Sequence, residues 1–405
     1  MIFSKFKKTT LAFISVFLLG LLFFTGLSTT IQAQNPDTEP LYKAYEDAFL
    51  IGTALNRAQI LAGDPVAAHT VERSGARGYF VEKRIITDPK GLAVGLKHFN
   101  VITPENVMKW EEIHPEPGVY DFEAADRLVE LAQAHGKKVV AHTLVWHAQT
   151  PDWVFEDEEG NELSREALLE RMRDHIHTIV GRYKGKIFGY DVVNEAFNRD
   201  GSFRESKWFN IIGEDFIQKA FEFAHEADPN AQLYYNDYHM EDPEKRQGIH
   251  EYLEEMIEAG VPISGVGSQS HFSINNLPPL DQIEKSITEF ADLGIDVMIT
   301  ELDLNVLPAS VYQYDEDDKE RDIYREGLPD SVQQKLTDVY TDLFEIYLKH
   351  SDILTRVTLW GVSDDGSWLN YLPFEQTNYP LLFDRNKEPK PALHALIRLA
   401  DRNSN

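Results

Sequence analysis

The sequence predicts an α/β chain closed into a single-domain (β/α)8 TIM barrel. Two observations carry that expectation. Eight short runs rich in Val, Ile, Leu and Tyr alternate with longer amphipathic, charged stretches, the order left by parallel strands with helices covering them. No G-x-G-x-x-G turn follows the first run, which removes the main signature of a dinucleotide-binding open sheet. Eight strands in a chain of 405 residues fit a closed barrel better than a doubly wound sheet.

In chain order, the first strand is read at "FLIGTALN" (49–56) and the second at "FNVIT" (99–103). A helix at 122–136 leads to "KVVAHTLVW" (138–146), and one at 167–185 leads to "IFGYDVVN" (187–194). Helices at 215–228 and 245–260 flank "AQLYYND" (231–237) and precede "ISGVGSQS" (263–270). The helix at 280–294 sets Ile283, Ile287, Phe290 and Leu293 on one face, the period of an amphipathic helix laid on a sheet. "DVMIT" (296–300), a helix at 331–350 and "RVTLWGVS" (356–363) complete the series.

Residues 1–33 read as a secretory signal peptide. Lys5, Lys7 and Lys8 precede an apolar run from Leu11 to about Leu27, and Ile31-Gln32-Ala33 offers a cleavage site. An uncleaved anchor is the competing reading, since the run is almost long enough to span a bilayer. Residues 34–40 then form a short leader and 41–402 the barrel domain. Cleavage removes three lysines and no acid, so the net charge of −28 becomes about −31. That surface repels nucleic acid and anionic membranes and suits neutral or sparsely charged substrates. The chain contains no cysteine, which excludes disulfides, thiol catalysis, thiolate zinc sites and a lipidated cysteine. An exported chain of this kind must rely on its core, and its length allows a sizeable one. The expected location is secreted, either extracellular or periplasmic.

In a parallel barrel the working residues stand where strands end, on one face. Strand two runs into Glu105, Asn106 and Lys109, and strand three carries His142, Trp146, His147 and Gln149. Strand four ends in Asn194 and Glu195, and strand five in Asn236, Asp237 and Tyr238. Strand six gives Gln269 and His271, strand seven Glu301 and Asp303, and strand eight Trp360, with Trp368 shortly after. Glu195 and Glu301 each terminate an apolar run, where an unpaired buried charge would be costly. At the barrel mouth the cost is lifted, and acids on strands lying across the barrel can face one another over a cleft. Two such carboxylates, amid tryptophans and neutral hydrogen-bonding groups, suit glycoside cleavage. Indole faces stack on the apolar faces of sugars, while Asn, Gln, His and Lys hold hydroxyls.

These residues lie in "TPENVMKW", "HTLVWHAQTPDW", "DVVNEAF", "YNDY", "GVGSQSH", "ITELD" and "LWGVSDDGSW". Together the seven words resemble glycoside hydrolase family 10, the endo-β-1,4-xylanases, over nearly all of the mature chain. The resemblance implies a retaining mechanism, with Glu195 as general acid/base and Glu301 as nucleophile. Their carboxyls should then lie roughly 5–5.5 Å apart, against roughly 6.5–9.5 Å for inversion. It implies that His271 hydrogen-bonds the nucleophile, that Asp303 orients His271, and that Asn194 contacts the 2-hydroxyl of the sugar being cleaved. It also implies that Glu105, Asn106, Lys109, His142, Trp146, Gln149, Tyr238, Gln269, Trp360 and Trp368 line the sugar cleft. Xylan or xylo-oligosaccharide is the expected partner, with no cofactor or metal, and the chain is expected to be a monomer. The chain departs from the family pattern at His239-Met240, at Asp364-Asp365-Gly366 and in the acidic excursion at 308–331. Those departures bear on leaving-group subsites and chain-length preference.

Taken singly, a strand-end Glu is more often a helix cap or a salt-bridge partner; the pair in matched words points to catalysis. His142 and His147 lack a third ligand with metal spacing, so His142 reads as a sugar contact and His147 as packing. Trp110 and Trp153 stay open between structural and ligand roles, and Asp191 reads as a polar member of the barrel interior. "DEDDKERD" (315–322) lacks a calcium-loop pattern and reads as a solvated loop. A glucan-preferring glycosidase and a non-catalytic sugar-binding barrel are the competing functions, and the second has no need of both acids.

Overall fold

The computed structural model describes residues 38–62, 87–309, 322–372 and 375–403. The expected signal peptide at 1–33 and most of the acidic run at 315–322 lie outside those residues. Eight parallel strands build the barrel: β1 (Leu50–Leu55), β2 (Val101–Pro104), β3 (Lys138–Trp146), β4 (Gly189–Asn194), β5 (Gln232–Asp237), β6 (Gly265–Ser268), β7 (Asp296–Asn305) and β8 (Leu354–Leu359). Each strand pairs with the next, and β8 pairs back onto β1 from Leu50↔Arg356 to Thr53↔Leu359. The sheet therefore has no open edge there, which is the closure expected from eight runs.

A long helix follows every strand: α1 (Pro89–His98), α2 (Glu123–Ala134), α3 (Arg165–Arg182), α4 (Phe216–Ala227), α5 (Pro243–Glu258), α6 (Leu280–Ala291), α7 (Asp330–Lys349) and α8 (Pro391–Asn403). Ser164 caps α3 by accepting from Ala167 N–H, and Asp88 caps α1 ahead of Pro89 at its first position, both common ways to satisfy orphan N–H groups. The main core lies between strands and helices. On α6 it takes Ile283, Ile287 and Phe290, and on α7 Leu336, Tyr340, Leu343, Phe344 and Tyr347.

Three details differ from the sequence reading, and the first two shape the rim. β7 does not stop at Thr300 but runs to Asn305, paired beyond that point with a short strand His271–Ser273. Glu301 and Asp303 are thus held within a strand. The sixth run breaks at Ser270, whose φ is +62, between β6 and that short strand. α1 and α8 add to the helices read in the sequence; α1 holds Gly91 and Gly95, poor helix formers that mask its pattern.

α5 packs backbone to backbone on the loop after β4. A Cβ on Gly248 would meet the carbonyl oxygen of Gly201 at 2.3 Å and its Cα at 2.8 Å. Neither contact involves a side chain that could swing away. Gly248→Ala is expected to destabilise the fold by about 1–3 kcal/mol, read as a lowered thermal midpoint; an unchanged midpoint would show that this loop yields freely.

Candidate active site

At the end of β4 the chain turns sharply. Glu195 takes φ +58, a left-handed conformation that non-glycine residues avoid. Its N–H donates to Asn236 O at 2.9 Å, and Arg204 Nε donates to its carbonyl at 3.0 Å. The carboxylate is aimed by three donors. Trp146 Nε1 reaches Oε2 at 2.9 Å, while Gln269 Nε2 and Asn194 Nδ2 reach Oε1 at 3.0 and 3.3 Å. Trp146 is itself fixed at the end of β3, where its carbonyl accepts from Trp208 Nε1.

Glu301 sits deeper, almost fully buried. Asn236 Nδ2 donates to its Oε1 at 2.7 Å, and His271 Nε2 lies 3.1 Å from its Oε2. His271 Nδ1 is 3.0 Å from Asp303 Oδ1, and Trp368 Nε1 holds the other Asp303 oxygen at 2.7 Å. Burial alone would lower the His271 imidazole, but Asp303 and then Glu301 raise it to about 10. Burial likewise pushes Glu301 up, and His142, His271 and Lys109 outweigh it, leaving the carboxyl below its ordinary range.

The two acids are bridged by amides. Asn194 Oδ1 accepts from Asn236 Nδ2 at 3.0 Å and from Gln269 Nε2 at 3.1 Å. The same two nitrogens serve Glu301 and Glu195. β5 and the residue just past β6 supply these donors, and the two strands stand between β4 and β7 in the barrel.

One cleft of about 550 Å³ takes in both carboxylates with Glu105, Asn106, Lys109, His142, Trp146, Gln149, Asn194, Tyr238, Gln269, His271, Trp360 and Trp368. Asp303 stands behind it. On one wall Lys109 Nζ donates to Asn106 Oδ1 and Gln149 Oε1, both at 2.9 Å, and lies 4.8 Å from the Trp146 ring centre. His142 packs edge-on to Trp360, with Nδ1 3.0 Å from Asp191 Oδ2. Tyr238 OH accepts from Arg204 Nη2 at 2.6 Å.

Trp110 and Trp153 are not in the cleft. Trp110 stacks on His175 at 3.5 Å between centroids, and Trp153 donates to Pro115 O; packing explains both. His147, read as packing, has its Nε2 4.0 Å from Glu195 Oε2. Asn236 and Arg204 also act on the acids without standing out in the sequence. Asn236 was visible only as a strand-end amide, and Arg204 lies in a loop with no periodic signal. His239 joins the cleft lining as well.

Comparison with known proteins agrees with this geometry. The family model described as Glycosyl hydrolase family 10 matches residues 67–399. An endo-1,4-beta-xylanase A from Xylanibacter ruminicola is 45% identical over 359 residues, covering 87% of this chain and 90% of that protein. A GH10 endoxylanase structure from a sugarcane soil metagenome is 45% identical with a TM-score of 0.79, covering 90% of this chain and 100% of that one. An intracellular xylanase from Thermoanaerobacterium saccharolyticum, solved as a Glu-to-Ala mutant with xylotetraose, is 35% identical with a TM-score of 0.74, covering 89% and 98%.

His271→Gln would take away a cation beside Glu301, so the carboxyl would rise. The acid limb of kcat/KM against pH is expected to move up by about one pH unit. An unmoved limb would separate His271 from the ionisation of Glu301.

Proposed function

The chain belongs to glycosyl hydrolase family 10, whose members hydrolyse xylan with retention, and on that premise we propose how its own residues cut the polymer. Glu301 is the nucleophile and Glu195 the general acid/base of an endo-acting β-1,4-xylanase. The single observation that carries the reading is the amide bridge, which sets two carboxylates over one cleft with different surroundings.

In the first step Glu301 attacks the anomeric carbon while Glu195 gives its proton to the departing glycosidic oxygen. The old C–O bond breaks as the ester forms. His271 and Asn236 keep Glu301 ionised for that attack, since both interactions favour the charged form. Once the ester has formed, Glu301 carries no charge and Glu195 is left as a carboxylate. It then takes a proton from water, which attacks the same carbon and frees Glu301. Two inversions at one carbon give retention.

Asn194 is the contact for the 2-hydroxyl of the sugar being cleaved, a bond that strengthens in the transition state. Trp360 and Trp368 provide faces for the sugar. Glu105, Asn106, Lys109 and Gln149 form a tied wall on the narrow side of the cleft. That wall accepts a xylose ring, and the hydroxymethyl group of glucose would have to displace it. The signal peptide expected at residues 1–33 extends the proposal to a substrate met outside the cytoplasm.

Glu301→Ala should abolish turnover on every substrate. Glu195→Ala should lower kcat/KM on xylan by about 10²–10⁴-fold yet largely spare dinitrophenyl xylobioside, whose leaving group needs no proton. Added azide should rescue the second step in part. Equal loss on both substrates would remove Glu195 from the acid role. Initial rates should also be higher on xylan than on carboxymethyl cellulose; the reverse order would assign the wall to glucan.

A further inference from the structure

We propose that Tyr235, Asp237 and Lys245 are positioning residues for Glu195, a buried clamp that holds the peptide units just beyond it and so fixes where its carboxyl points. The proposal rests on Glu195 being the acid/base.

Glu195 keeps a left-handed backbone that a non-glycine residue holds only when its surroundings over-determine it. Its own N–H and carbonyl are bound to Asn236 and Arg204. The next two amides turn inward. Ala196 N–H donates to the Tyr235 hydroxyl at 3.1 Å, and Phe197 N–H approaches Asp237 Oδ2 at 3.4 Å. The Tyr235 hydroxyl donates its own O–H to the same carboxylate oxygen, at 2.5 Å. Asp237 Oδ1 is held by Lys245 Nζ at 2.7 Å and by Tyr238 N–H at 2.8 Å.

None of the three side chains lines the cleft, and all are fully buried. Tyr235 and Asp237 are two residues apart on β5 and so face the same side, with Lys245 entering from the first turn of α5. A sealed ion pair is a poor source of stability, because desolvating two charges offsets most of their attraction. Two apolar side chains could fill that space. They could not receive the N–H groups of Ala196 and Phe197, which is the service this arrangement performs. Lys245 also lies 3.9 Å from the Tyr238 ring centre, so replacing it alone would disturb a cleft residue too. Among the described residues the Tyr235 hydroxyl bonds to the Ala196 amide and the Asp237 carboxylate, and it is the cleaner handle.

Tyr235→Phe deletes that hydroxyl and keeps the ring. Its kcat/KM should fall about 10- to 100-fold on xylotetraose, whose leaving sugar needs a proton. On dinitrophenyl xylobioside it should stay within about twofold, since positioning of the acid no longer matters there. A merely structural role would lower both alike. Equal loss on the two substrates, or no loss on either, overturns the clamp. The paired replacement Asp237→Leu with Lys245→Met removes the acceptor of the Phe197 N–H together with both charges and should give the same selective loss; it decides the matter if Tyr235→Phe does not fold. Glu195→Ala, run alongside, separates two kinds of failure. Selective loss there but not in Tyr235→Phe overturns the clamp alone, whereas equal loss in Glu195→Ala overturns the acid/base reading and the clamp with it.

Discussion

Asn194 Oδ1 takes two N–H bonds at once, from Asn236 and Gln269, and each of those donors reaches on to one of the two acids. This shared acceptor ties the spacing of Glu195 to that of Glu301. Its sense is also forced. Asn236 Oδ1 is occupied by Thr300 Oγ1 at 2.6 Å, and Asn194 Nδ2 faces Glu195. Turning any of the three amides would set oxygen against oxygen or donor against donor. A hydrogen bond to a charged group contributes about 1.5–3 kcal/mol, so a misplaced amide would be felt at once. Neutral donors suit the task because they orient both carboxylates without adding a net charge to the cleft.

The barrel makes that bridge nearly unavoidable. Parallel register sets Asn194 beside Asn236 and Asn236 beside Gly267. Gly267 is part of the design: a Cβ there would meet Asn236 Oδ1 at 2.7 Å and the Thr300 methyl at 2.5 Å, in the space where those two side chains bond. The buried amides and carboxylates of the bridge are paired with one another at the rim, while the helices carry the apolar core. Further out, His271, Asp303 and Trp368 continue the same logic on one side of Glu301, and Tyr235, Asp237 and Lys245 on the far side of Glu195.

Much of this was legible in the sequence. Apolar runs mark strands well because strands buried on both faces stay apolar, and the third run coincides with β3 from Lys138 to Trp146. The cleft was legible wherever a polar residue ended such a run, as at Asn194, Glu195 and Glu301. Long-range partners were less visible. Arg204 gives no sign in its loop that it will reach Tyr238 and the Glu195 carbonyl. His147 reads as packing because nothing in its neighbours says that β4 will bring Glu195 to it. Trp110 shows the same limit from the other side: its place beside cleft residues left a ligand role open, and its ring turns onto His175. Side-chain direction at a strand end depends on how the next loop departs, and no local pattern encodes it.

Chemical trapping tests the central claim most directly. A 2-fluoro xylobioside with a good leaving group slows both steps, the second more, so the covalent intermediate accumulates and can be located by peptide mass spectrometry. The account predicts one fluoroglycosyl adduct per chain, on the peptide bearing Glu301 and at that residue. An adduct on Glu195, or full turnover of the reagent without any adduct, would contradict it.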